Sequence, residues 1–326
     1  GIVNAVTLAI LAVLGRLPIL HAAAASSAAI AGVIGFHWLQ GNLAPIEQLS
    51  GRELVSILLM GRTGAALMPL AAVAAFVGML CWKTRRPREA ESYWLSAGVM
   101  TLVAVVIAVY AGFWSGIDAE LATPVLAIGA TGVLVGANLR NDARLSWLGS
   151  ALLLVTWVHG LGFNQWISNH IPDWRLVAGH PLLFAALTHA LVVQALAALG
   201  MVLQHRYVGG SVADRQLLKT GWLQPLTLSA AVTSAAALPF VFVPWNRDLD
   251  IQAVQLGMVA MSGFIASLAL RSRELTTASE VVASAAVGFA TAAIAQRQPW
   301  RPEPLTDLRH IQWQVITLGV WCMILG

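Results

Sequence analysis

Histidine supplies most of the chemistry this sequence could carry within its apolar stretches. His37, His159, His170, His180 and His189 all fall on or near one predicted side of a membrane. The stretch 157–189 is the most polar-decorated, adding Asn164, Gln165, Trp166, Asp173, Trp174 and Arg175. Three chemistries fit it. Neutral imidazoles of His159 and His189 could ligate haem or a transition metal. At helical rise the two sit roughly 6 and 12 Å inside their spans, a mismatch that counts against one shared iron. His170 and Asp173, three residues apart, could act as base and acid, with Arg175 holding an anionic headgroup. Trp166 and Trp174 could instead dock a partner.

Against these stands a plainer reading. Trp and His have an apolar body and a polar tip and settle at the membrane surface. His189 then hydrogen-bonds a neighbouring helix, through Thr188 or Gln194. This reading is preferred, so no metal and no cofactor is expected.

Other sites are not supported. No Asp, Glu, Lys or Arg falls well within the spans 64–82, 94–115, 122–139, 146–163, 181–204, 222–245 or 251–270. An ion-coupled transporter normally needs a carboxylate or a broken helix near the midplane, so that class is disfavoured. There is no phosphate loop, HExxH or nucleophile elbow. Asp118 and Glu120 read as an acidic short outer loop, and Asp248 and Asp250 beside Arg247 as a solvated turn. Cys81 and Cys322 form no CxxC pair.

The elements that would position any such site are set by composition. Of 326 residues, 58% are hydrophobic and 10% charged. A soluble domain carries about 25% charged residues to wet its surface. Apolar stretches recur throughout: 2–15, 17–39, 64–82, 94–115, 122–139, 146–163, 181–204, 222–245, 251–270, 280–296 and 311–326. Twenty residues at about 1.5 Å each cross a core of about 30 Å. Unpaired backbone groups are too costly in lipid, and alternating strands are missing, so the spans are helices. The predicted fold is an all-α integral membrane bundle of about ten or eleven helices in successive antiparallel hairpins, one polytopic domain over 1–326. The chain opens at Gly1 rather than Met and stops at Gly326 in an apolar run, so an excerpt of a longer protein is expected.

Of the 19 Lys and Arg, 12 fall on the side of the loop 83–93 and 7 on the other. The bias places 83–93 in the cytoplasm, as in a bacterial inner membrane, with 164–180 as a long outer loop. Arg297, Arg301 and Arg309 run against it and weaken the orientation of the last two spans. The net charge of +4 sits in short loops, with no aromatic-interleaved stripe, so nucleic acid is not a partner. The bilayer is. Trp94-Leu95, Trp147-Leu148 and Trp222-Leu223 open three spans in the same way, which reads as an aromatic belt or as duplicated hairpins. Small residues at 22–32, Gly132/Gly136, 229–237 and 283–288 predict close helix packing, with membrane-protein partners or self-association through these faces. The stretch 40–63 has helical apolar spacing among Glu47, Arg52, Glu53 and Arg62, fitting an interfacial amphipathic helix or a packed connector.

Together these favour a non-enzymatic membrane module that scaffolds an assembly or moves a small apolar or amphipathic solute. The alternative is a membrane enzyme or metal- or haem-binding protein built on the outer histidines.

Overall fold

A computed structural model describes residues 2–15, 17–43, 50–113, 116–170, 180–207, 216, 218–243, 248–297, 315–317 and 319–321. Among them there are helices and turns but no strand. The helices are α1 (Ile2–Gly15), α2 (Pro18–Leu39), α3 (Gly51–Leu58), α4 (Gly61–Lys83), α5 (Pro87–Gly112), α6 (Gly116–Arg140), α7 (Ala143–Gly162) and α8 (Gln165–His170). They continue with α9 (Pro181–Tyr207), a π-helical turn (Lys219–Leu223), α10 (Gln224–Val241), α11 (Leu249–Leu270) and α12 (Arg273–Gln296).

Nine of the described helical segments are long and apolar enough to cross a membrane. In none is more than 44% of the apolar window buried in the protein, so most of each helix faces outward. The outward side chains are large: Phe76, Leu102, Val106, Val232 and Leu268 are all exposed. The inward ones are small, with alanine the commonest buried apolar residue. Large outside and small inside is the pattern of a bundle solvated by lipid, where close backbone approach replaces hydrophobic burial as the reason to associate. The chain is an all-α polytopic membrane bundle. α1 is the exception in length, since 14 residues reach only about 21 Å. The predicted span 311–326 lies largely outside the described residues.

Several predicted loops are wound into helix. α5 starts at Pro87 rather than 94, α6 takes in the supposed loop 116–121, and α12 starts at Arg273 rather than 280. Asp118 is therefore a first-turn residue of a helix, packed over Gly61, and not part of a loop. Hydropathy marks where a helix enters hydrocarbon, whereas caps mark where it starts, and here the two lie up to two turns apart. Among the described residues of the stretch 40–63, the eight-residue α3 precedes α4.

α3 carries a full capping box. Ser50 Oγ accepts from the Glu53 amide at 3.3 Å, and Glu53 Oε2 accepts from the Ser50 amide at 2.9 Å. The bonds from Ser50 hold the Glu53 carboxyl below its usual range. A depressed carboxyl stabilises the fold above its ordinary pKa and loses that effect as pH falls through the folded value. The protection factors of the amides over 51–54, exchange rates taken relative to the unstructured chain at the same pH, are therefore expected to fall as the solution is acidified below about pH 4.5. Ser50→Ala should lower them at neutral pH.

Three turns share one construction. Each passes through a non-glycine residue with positive φ: Arg85 (61°) between α4 and α5, Asn141 (51°) between α6 and α7, Arg271 (57°) between α11 and α12. In each, the next amide reaches back five residues: Arg86 to the Cys81 carbonyl at 2.9 Å, Asp142 to Ala137 at 3.2 Å, Ser272 to Ser267 at 3.1 Å. This is the closure that satisfies the last carbonyls of a helix. The following helix starts at once, by Pro87 in its first turn, by Asp142 accepting from the Arg144 amide, or by Ser272 accepting from the Leu275 amide. Left-handed backbone costs a side-chain-bearing residue about 1–2 kcal/mol, which glycine would avoid.

The chain divides into two compact units, Gly1–Gly129 with Phe163–Trp166, and Ala130–Gly162 with Ile167–Gly326. In the first, α4 and α5 form a close hairpin in which Gly64 meets the Ala104 carbonyl and Gly78 lies beneath the Trp94 ring. His21 on α2 pairs through Nδ1 with the Tyr93 hydroxyl of α5 at 3.0 Å. His37 is held by Thr63 at 2.8 Å and by Asn42 at 3.2 Å. In the second unit, α7, α9, α10 and the π turn pack around Leu134, Val193, Trp222 and Leu226.

The three Trp-Leu pairs are not equivalent. Trp94 stacks on Trp82, Trp147 is exposed, and Trp222 is buried, donating from Nε1 to the Ala197 carbonyl at 3.1 Å. Trp222 turns inward because Gly200 has no Cβ to block its ring, and the π-helical winding lies at the same place. The small-residue reading also divides. Ser229, Ala230, Ser234 and Ala237 are buried as expected, but nothing lies within 4 Å of a Cβ added at Gly132 or Gly136. Gly132→Ala is therefore expected to change stability by less than about 0.5 kcal/mol in a denaturant titration.

Candidate functional site

His159 and His189 stand apart along α7. His170, the last residue of α8, is exposed, while its predicted partners Asp173 and Arg175, with Trp174, lie outside the described residues. His180 caps α9, its Nδ1 accepting from the Leu182 amide at 3.3 Å. His159 and His189 are both buried, but His189 meets α7 at Ser150. That is nine residues before His159 and roughly 13 Å along the helix at 1.5 Å per residue. Two imidazoles so placed do not share one iron. Among the described residues no three of His, Cys, Asp and Glu are grouped to hold a metal.

What the second unit builds instead is a neutral polar tract. Its charged side chains stay out: every buried polar residue described is Ser, Thr, Asn, Gln or His. Ser150 of α7 lies 3.2 Å from His189 Nε2 and 2.8 Å from the Ser229 hydroxyl of α10. Gln194 of α9 donates from Nε2 to the Ser262 carbonyl at 2.7 Å and its hydroxyl at 3.1 Å, and Ser234 of α10 donates to that same hydroxyl at 2.7 Å. Two knots thus tie α7 to α9 and α10, and α9 to α10 and α11. Serine serves because it is small enough for an apolar span and still offers a hydroxyl across the interface.

The bonding partners decide the protonation pattern. His189 Nε2 also lies 2.9 Å from the Ser150 carbonyl, which can only accept, so Nε2 carries the hydrogen. The neutral ring then presents Nδ1 as a bare acceptor, and Nδ1 has no partner. Gln194 uses its amide hydrogens on Ser262, leaving Oε1 likewise a buried acceptor without a partner. An unpaired buried acceptor costs about 1–3 kcal/mol, more than a typical hydrogen bond contributes. Both knots therefore end in an acceptor that a donor group would satisfy.

The predicted partners of His189, Thr188 and Gln194, are not the ones used; Ser150 is. Sequence reading confined to charged residues and histidine passes over Ser150 and Ser262, takes Ser229 and Ser234 only as small packing residues, and names Gln194 for a different bond. Their signal is a neutral polar residue inside an apolar span, repeated on four consecutive spanning segments. No protein-family model matches the chain, and no curated protein or solved structure is found to resemble it.

Proposed function

We propose that this protein is a non-enzymatic membrane module whose second unit binds and passes a small, uncharged amphipathic solute bearing an O–H or N–H group. The observation that carries this is the pair of unpartnered acceptors, His189 Nδ1 and Gln194 Oε1, within a tract that holds no charge. The tract offers a donor-bearing head its complement. The excess of Lys and Arg around 83–93 supports a cytoplasmic place for that loop, as in a bacterial inner membrane.

The test uses two matched probes on the detergent-purified chain. Hexanamide donates from its N–H groups; N,N-dimethylhexanamide has the same carbonyl and tail but no donor. Hexanamide should raise the melting temperature of the wild type and leave His189→Phe or Gln194→Leu unmoved, while the dimethyl compound should act on none. Equal shifts from both probes would mean plain partitioning and would sink the reading. A scaffolding role keeps one favourable observation, the uncovered Gly132/Gly136 pair on α6. Crosslinking of the wild type lost in Gly132→Ile would support it.

A further inference from the structure

We propose that the α11–α12 turn is a binding site for the phosphodiester headgroup of an anionic membrane phospholipid, one that carries hydroxyl groups as phosphatidylglycerol does. A cavity of about 450 Å³ opens at this turn, walled by Arg271 and Arg273 with Ser272, Thr276 and Thr277. It is an open surface depression rather than an enclosed pocket.

Neither guanidinium takes part in an ion pair among the described residues, whereas Arg86 and Arg297 do. A free guanidinium presents a planar fork of donors that matches a phosphate's oxygens. Backbone geometry supports a use for the Arg271 side chain. It sits at φ 57°, the position where glycine would close the same turn without strain. A strained residue that a cheaper one could replace points to a role for what it carries.

Location fits a lipid. Leu268, one turn before Arg271, also lines the cavity and is 80% exposed, giving an acyl chain a surface beside the basic residues. Glu280 lines the cavity too. Its carboxylate repels a free phosphate dianion but accepts hydrogen bonds from headgroup hydroxyls, which favours a polyol phosphodiester over inorganic phosphate. The charge distribution assigns the turn to the cytoplasmic side, where basic sites at helix ends meet anionic lipid.

Thermal unfolding of the full chain in neutral detergent tests this, with short-chain phosphatidylglycerol, short-chain phosphatidylcholine or inorganic phosphate added in turn. Phosphatidylglycerol is expected to stabilise the wild type, with the other two at least tenfold weaker. Arg271→Gly relieves the left-handed strain, so without lipid it should unfold no earlier than wild type. Its apparent affinity for phosphatidylglycerol should nonetheless fall at least tenfold, and Arg273→Gln should do the same. An unchanged phosphatidylglycerol response in the double variant would overturn the site. Equal action of phosphatidylcholine would overturn the preference for an anion, and equal action of inorganic phosphate would overturn the assignment to lipid.

Discussion

Gly221→Ala is expected to destabilise the second unit by about 3 kcal/mol, at the upper end of the range for overpacking. A Cβ at this position would run into the backbone carbonyl of Asn141, in the α6–α7 turn. A flexible side chain could swing aside, but this obstacle is main chain, fixed by the turn's closing bond from Asp142 to Ala137. The Gly221 carbonyl is also committed, accepting from Ser146 Oγ at 2.7 Å. Neither partner can yield without losing a hydrogen bond, and the one from Ser146 to Gly221 is buried. Gly257→Ala is the matching control, because nothing lies within 4 Å of the added atom. Denaturant titration of the two purified variants should separate them by several times the experimental scatter. Equal stabilities would mean that the π turn does not seat against Asn141 as described.

Gln194→Leu is the second large effect, and it falls on both stability and binding. The change removes two hydrogen bonds to Ser262 and leaves that residue's hydroxyl with Ser234 alone. Interhelical hydrogen bonds in membranes contribute about 0.6–2 kcal/mol each, so a loss of about 1–2 kcal/mol is expected. That loss is moderated because the unpartnered Oε1 disappears with the amide. Binding responds differently: with the acceptor gone, hexanamide should no longer stabilise the protein at all. His189→Phe should be milder in stability, since the ring shape is kept, yet equally deaf to the probe. A variant that is destabilised but still responds to hexanamide would mean that Gln194 is only a strut.

The membrane bundle was legible from composition, because a 10% charged chain has no way to wet a globular surface. Helix ends were less so. Pro87, Asp142 and Ser272 start their helices by local bonding, and hydropathy averages say nothing about that. The three Trp-Leu pairs sit in unlike surroundings, whereas the turns at Arg85, Asn141 and Arg271 share a backbone angle that hydropathy does not register. Small-residue faces were legible as a class, but which of them is used depends on the neighbour each helix meets. Hence Ser229–Ala237 is buried while Gly132 and Gly136 are open. His189 was singled out by type alone. Its partner Ser150 could not be, since the register between α7 and α9 is set by packing across helices distant in sequence.

Whether the tract opens to a solute is tested most directly by chemistry at its centre. Ser262 is fully buried and joins Gln194 to Ser234. In a chain whose Cys81 and Cys322 are replaced by serine, Ser262→Cys would place a small thiol at that junction. Reconstituted in vesicles and treated with a water-soluble methanethiosulfonate, this thiol is expected to react within minutes and to be protected by hexanamide but not by its dimethyl analogue. A thiol that stays unmodified in the folded protein, yet reacts once the protein is unfolded, would contradict the account and leave the tract as hydrogen-bonded packing alone.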